Sequence, residues 1–261
     1  MTQEYDAARA SVGQYKASGG HWHPALDPLV ERSPAFVEAM VAFAGHPWKS
    51  GPLDRKTKEL LSLALHACVT HLNAPGIRTH IRGALRAGAS QDEILEVLQL
   101  VSVVGVHAAV LGVPILVEKL RAQSPDALDL SNADPERAAL KAEFLQSRGY
   151  WSDIWDGMLA LDPGYFRAFT DFSSAPWRGG VLAPKIKEFV YIAMDISTTH
   201  QFVPGTHIHI ENAIGYGATA EELMEVVQLS SVLGMDTFQM ALPILAEELA
   251  ELDKAGDRHG A

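Results

Sequence analysis

The chemistry offered by this sequence is concentrated in Glu59, His71 and His80, and again in Glu188, His200 and His209, with the spacing Glu-x11-His-x8-His in both sets. Both sets lie in strongly apolar stretches, where an unpaired charge is costly, so each group demands a partner. A buried carboxylate beside an imidazole suits general acid–base work on an enolisable acid or lactone. In that scheme Glu59 and Glu188 act as base or orienter, and His80 and His209 as acid. His71 and His200 polarise a carbonyl or carboxylate. Two histidines and one glutamate are equally the ligand set of His2Glu zinc sites and of facial-triad iron sites, with His66 or Asp195 as a possible fourth ligand. The spacing matches no short metal motif. A third reading is structural, with the polar groups hydrogen-bonded to one another and to the turn backbone.

Helices must position these residues. Asp54–Val69 is apolar on nearly every side and reads as a central helix. Pro75-Gly76 breaks the run, because proline lacks an amide donor and clashes with the preceding turn. A helix resumes over Ile77–Ala87, and Gly88 caps its end. His80 then runs back roughly 8 Å along its helix, toward the face of Glu59. Ser90-x-x-Glu93 and Thr219-x-x-Glu222 are capping boxes that start further helices. Nothing alternates with period two for long enough to make a strand, so the fold class is all-α.

The paired motifs belong to a duplication. Shifting the chain by 129 residues aligns Gly20–Leu120 with Gly149–Leu249 without a gap, and 36 of the 101 pairs are identical. Internal repeats of this kind set the architecture. The sequence therefore divides into a first repeat, 1–121, a linker, 122–136, rich in Asp, Ser and Pro, and a second repeat, 137–261. Residues 137–148 read as a lead-in helix corresponding to Tyr5–Ala17.

Composition excludes several classes. A net charge of -11 argues against a nucleic-acid or anionic-membrane partner, which needs a clustered positive field. The first 20 residues carry no apolar segment of signal-peptide length, so a cytoplasmic location is expected. The apolar run Val101–Val117 is interrupted by Gly105, Gly112 and Pro114 and reads as a buried helix pair rather than a membrane span. The one cysteine, Cys68, reads as a small buried hydrophobe.

The remaining histidines and tryptophans carry weaker signals. His66 corresponds to Asp195, and His107 to Asp236; these differences are read as satisfying local backbone. His21-Trp22-His23-Pro24 invites a metal reading, but the second repeat has Tyr150-Trp151-Ser152 there, so Trp22 packing on the core is preferred. Trp48 and Trp177 read as plugs between helices, His207 as a surface residue, and His259 as part of a polar tail.

In its order of motifs the chain resembles the carboxymuconolactone decarboxylase / alkylhydroperoxidase AhpD-like family. The tails His80-x3-Ala84-x3-Gly88-x4-Glu93 and His209-x3-Ala213-x3-Gly217-x4-Glu222 match that family, as do Leu53-Asp54-Arg55-Lys56-x-x-Glu59 and the later Glu96-Val97-Leu98-Gln99 with Gly105. His71 and His200 stand where peroxidase members carry the first cysteine of a Cys-x-x-Cys pair. Thiol peroxidase chemistry is therefore disfavoured, since it requires a nucleophilic thiolate. The resemblance implies an AhpD-like helical bundle duplicated in tandem. It also implies decarboxylase-type acid–base chemistry on a small molecule without a cofactor, a divalent metal (Zn or Fe) being the alternative. By analogy with ring-forming members, it implies a homo-oligomer: a trimer with six repeat units. A non-catalytic small-molecule-binding or scaffold role is the remaining alternative.

Overall fold

A computed structural model describes residues 2–124, 126, 128–131 and 134–257. Within them the chain forms α1 (Thr2–Ala17), α2 (Asp27–Arg32), α3 (Pro34–Lys49), α4 (Arg55–Ala67), α5 (Ala74–Arg86), α6 (Gln91–Ser102) and α7 (His107–Gln123). The second repeat supplies α8 (Pro135–Arg148), α9 (Asp156–Leu161), α10 (Pro163–Gly179), α11 (Pro184–Ile196), α12 (Val203–Gly215), α13 (Ala220–Ser231) and α14 (Asp236–Asp257). Short 3-10 turns precede α2, α7, α9 and α14. There is no strand among the described residues. Shifted by 129, the bounds of α4, α5 and α6 coincide with those of α11, α12 and α13, so the duplication is all-α and in register. Both capping boxes close as the sequence predicts. Positions 125, 127, 132 and 133 of the linker, and His259, lie outside the described residues.

The turn after α4 differs in detail from its sequence reading. Pro75 does not end a helix but sits in the first turn of α5, where its missing N–H has no intrahelical acceptor. Reversal is achieved earlier, at Leu72 (φ 49°) and at the equivalent Gln201 (φ 51°). Left-handed backbone at these side chains is strained, and its occurrence in both repeats marks the turn as a built feature. Asn73 then caps α5, its Oδ1 accepting the Gly76 N–H at 3.1 Å.

The sequence repeats are not the compact units. One unit combines residues up to Ala89 with those from Glu188 onward; the other is Ser90–Lys187. Each is thus built from helices of both repeats. In the first unit α13 packs on α3 and α4, and α14 on the 3-10 turn Pro24–Leu26. In the second, α10 packs on α6, α8 and α9, and α7 on α9.

A buried ion pair joins the repeats within each unit. Lys58 Nζ lies 2.6 Å from Glu225 Oε1 and donates to the Pro47 carbonyl at 2.7 Å, while Glu225 accepts the Leu53 N–H at 2.8 Å. Lys187 does the same with Glu96 at 2.7 Å and the Pro176 carbonyl at 2.6 Å. Such a pair is destabilising to break, because the survivor is left charged and buried.

The run Val101–Val117 is not the buried helix pair expected from sequence. A 3-10 turn divides it, and α7 leaves Leu111, Ile115 and Leu116 exposed. The equivalent residues of α14, Met240, Ile244 and Leu245, are exposed as well. Gln91–Gln123 and Ala220–Lys254 are long and apolar enough to cross a membrane by length and composition. Each is interrupted by a 3-10 turn, Val103–Val106 and Val232–Met235.

Candidate active site

Glu59, on α4, is fully buried, and α5 returns antiparallel to place His80 Nδ1 2.8 Å from its Oε2. The helix reversal thus brings together the Glu–His pair predicted from spacing. Gly83, one turn beyond His80, lies against the carboxylate: a Cβ there would stand 2.3 Å from the Glu59 carboxyl carbon. Arg55, one turn before Glu59, donates from Nε at 2.9 Å and from Nη2 at 2.5 Å to Oε1. Its guanidinium lies 4.4 Å from the Trp48 ring centroid.

A further partner comes from the segment leading into the Pro24–Leu26 turn. His21 Nε2 donates to both Glu59 oxygens, at 2.9 and 3.1 Å. Sequence reasoning passed over His21, because the second repeat has Tyr150 there and 38 residues separate it from Glu59. Its neighbours behave as expected for packing. The Trp22 indole donates to Asp27 and its ring packs on the core, while His23 caps the 3-10 turn.

Electrostatics fix the protonation of the pair. Burial alone would raise the Glu59 pKa, but hydrogen bonds from His21 and His80 prevail and hold it down at about 2. Burial pushes His80 down to about 4, against the pull of the Glu59 hydrogen bond. Near neutrality Glu59 is therefore a carboxylate and His80 a neutral imidazole. With Nδ1–H donated to Glu59, the His80 Nε2 is left as a lone-pair base.

His71 does not join this pair. Its Nε2 lies 2.8 Å from Asp236 Oδ2, at the start of α14, and His66 Nε2 reaches the same oxygen at 3.0 Å. Asn73 Nδ2 donates to it at 2.6 Å. Burial would raise the Asp236 carboxyl, but hydrogen bonds from His66, His71 and Asn73 hold it at about 2. The His66 and Asp236 positions, read from sequence as satisfying local backbone, thus form a polar cluster joining the repeats. His66 also donates from Nδ1 to the Ser62 carbonyl at 2.6 Å, so the local role is real but incomplete. The His66 and His80 ring centroids are 4.7 Å apart.

Both clusters border one cavity of about 400 Å³, lined by His21, Ser62, His66, His80, Asp236 and Gln239 among others. That volume suits a small metabolite. Lys16, Arg82 and Arg86 also line it and give it a cationic rim.

The second repeat keeps the pair in altered surroundings. His209 Nδ1 lies 2.6 Å from Glu188 Oε2, and Asn212 donates to Oε1 at 3.3 Å. Tyr191 stacks on His209, with centroids 4.6 Å apart. His200 stacks on Phe202, and burial lowers its pKa. Asp195 is buried; that burial, and then Glu188, raise its carboxyl to about 8, so it is protonated near neutrality. Cys68 is buried at the end of α4, as expected, with Sγ 3.2 Å from Thr70 Oγ1.

Residues 34–117 and 163–247 each match the sequence model of the carboxymuconolactone decarboxylase family. A crystal structure from Burkholderia xenovorans LB400 is similar over 95% of this chain and 98% of its own, with 45% identity and a TM-score of 0.87. That protein carries a provisional assignment as a gamma-carboxymuconolactone decarboxylase subunit. No protein of curated function matches the sequence.

Proposed function

Because the chain belongs to the carboxymuconolactone decarboxylase family, we propose that it is a lyase of that kind, removing CO2 from a small lactone or enolisable carboxylate at its Glu59–His80 pair. The observation that carries this reading is the 2.8 Å contact between His80 Nδ1 and a fully buried, ionised Glu59 at the wall of a cavity. Lys16, Arg82 and Arg86 would draw the anionic substrate in.

As the bond to the leaving carboxylate breaks, its electron pair passes into the conjugated carbonyl system and CO2 departs. The resulting carbanion or enolate takes a proton that His80 Nε2 relays from solvent. Glu59 stabilises the imidazolium that exists while the proton is in transit, and orients the ring through Nδ1. His80 rests neutral, since its burial disfavours a standing positive charge, and carries the proton only in transit. The scheme uses acid–base groups alone.

Turnover is placed in the first repeat. In the second, the Arg55 position is Pro184, the His21 position is Tyr150, and Tyr191 stacks on His209 where the first repeat has Ser62. We further propose a cytoplasmic trimer of six repeat units, with the exposed rows of α7 and α14 as assembly surfaces. The direct test is CO2 release and loss of lactone absorbance on incubation with gamma-carboxymuconolactone. Glu59→Gln and His80→Ala should each lower kcat/KM by about 100-fold or more with the fold retained by circular dichroism. Tight binding of the unreacted acid by wild-type protein, with no CO2, would instead establish a binding role.

A further inference from the structure

We propose that His66, His71 and Asp236 form a divalent transition-metal site, of the class that takes Zn2+ or Co2+, opening on the cavity. The inference rests on this cluster's own geometry and not on the decarboxylase reading. Its three donor atoms, two imidazole nitrogens and one carboxylate oxygen, lie within 4.8 Å of one another. Both nitrogens approach Asp236 Oδ2, at 3.0 and 2.8 Å. Ligands on a tetrahedral zinc at 2.0–2.1 Å stand roughly 3.3 Å apart, so both imidazole–carboxylate distances need open by only a few tenths of an ångström to admit the ion.

The crowding of Asp236 points the same way. His66 donates Nδ1–H to the Ser62 carbonyl, which turns its Nε2 toward Asp236 Oδ2. His66, His71 and Asn73 all converge on a single carboxylate oxygen, which has two lone pairs. A metal ion bound by both imidazoles and this carboxylate leaves Asn73 as its hydrogen-bond donor. The supporting shell is in place. The Ser62 carbonyl aims His66, Asn73 aims Asp236, and Gly76 packs so close to the His66 ring that a Cβ would lie 2.0 Å from its Cδ2.

The neighbouring trio His21, Glu59 and His80 has donors at similar spacing, but Arg55 already occupies that carboxylate. A divalent ion there would face a fixed guanidinium. The ion-pair partners of Asp236 among the described residues are His66 and His71, which can both release a proton. His66 and Asp236 line the cavity, so a fourth position faces it, where water or a substrate oxygen can bind. An ion so placed, beside His80, would polarise a carboxylate or lactone carbonyl.

The test uses the full chain, purified without a histidine tag and stripped with chelator, titrated with Zn2+ by calorimetry and with Co2+ by visible absorption. One ion per chain should bind, with the intense d–d bands of low-coordinate Co2+ and with proton release. Asp236→Asn and His71→Ala should weaken Zn2+ binding by about 100-fold, and Glu59→Gln should leave it unchanged. Circular dichroism checks that each variant folds; the half-buried His71 gives a reading even where Asp236→Asn does not fold. No saturable Zn2+ or Co2+ binding below about 100 µM in wild-type protein would overturn the proposal. So would binding that survives His71→Ala but is lost in Glu59→Gln.

Discussion

The two repeats keep one Glu–His pair in two environments. Around Glu59 stand Arg55, His21 and His80, and the wall beyond His80 is open where Ser62 is small. Around Glu188 stand His209 and Asn212, and Tyr191, the counterpart of Ser62, stacks on the imidazole. Asn212 is the counterpart of Gly83, so an amide has entered where the first repeat leaves room for the carboxylate. The pair itself persists because it satisfies two buried polar groups, which any folded copy needs. The guanidinium and the second imidazole beside the carboxylate have no counterpart at the matching positions of the second repeat, which are Pro184 and Tyr150. What surrounds the dyad is thus where the two repeats differ.

Mutation of the two dyads should separate the repeats most widely. Glu59→Gln and His80→Ala should each lower kcat/KM by about 100-fold or more, while Glu188→Gln and His209→Ala leave it near wild type. The readout is decarboxylation of the lactone acid, with melting curves for all four variants. Equal losses from both dyads would show that the second site is also active. Loss of stability without loss of specific activity at Glu59 would place both dyads in a structural role.

Exchange of the wall residues sharpens it. Ser62→Tyr should set a phenol against His80 as Tyr191 is set against His209, lowering kcat/KM by about 10-fold or more through blocked access. Tyr191→Ser should not create a second working site, because Pro184 and Tyr150 provide neither guanidinium nor imidazole. A gain of turnover attributable to Glu188 in that variant would show that access alone separates the sites.

Much of this was legible in the sequence, and the omissions have identifiable causes. The all-α fold and its register followed from capping boxes, glycine stops and an ungapped repeat, which are local signals. The Glu59–His80 contact followed from a helix reversal over a short loop. His71 was assigned to the same pocket because its position in the turn was ambiguous. The left-handed Leu72 and the Asn73 cap instead direct it to Asp236, 165 residues away. His21 was missed for a related reason, since it approaches Glu59 from an extended segment with no periodicity to read. Interleaving of the repeats was invisible because a buried Lys58–Glu225 pair looks, in sequence, like two ordinary surface charges.

A smaller effect is expected at Gly83, and it is one of stability. A Cβ there would lie 2.3–2.5 Å from the Glu59 carboxyl atoms, which Arg55, His21 and His80 hold in place. Gly83→Ala should therefore destabilise the protein by about 1–3 kcal/mol, despite alanine's better helix propensity. The converse Asn212→Gly removes one 3.3 Å hydrogen bond and should cost about 1 kcal/mol or less beyond the propensity term. Denaturant midpoints for the two variants compare the sites without reference to activity. A Gly83→Ala protein as stable as wild type would show that Glu59 has space to move.

The gentlest comparison is with pH. Glu59 is held at about 2, below a carboxylate's ordinary value, and His80 at about 4, below an imidazole's. For His80 the unfolded chain takes up a proton below roughly pH 6.5, and the folded protein does so only near 4. Stability from this group is thus complete above 6.5 and declines as pH falls from there to about 4. For Glu59 the unfolded carboxylate protonates near 4.5 and the folded one near 2, so its contribution is lost over that lower window. Activity follows the folded values: kcat/KM of the free enzyme should be flat from pH 8 down to about 5 and fall only near 4, as the coupled pair takes up its proton. Such a profile would set His80 apart from an ordinary solvated histidine. An acid limb centred near 6.5, unchanged in Glu188→Gln, would show that His80 is not desolvated in the working enzyme and that the base is not the buried imidazole described above.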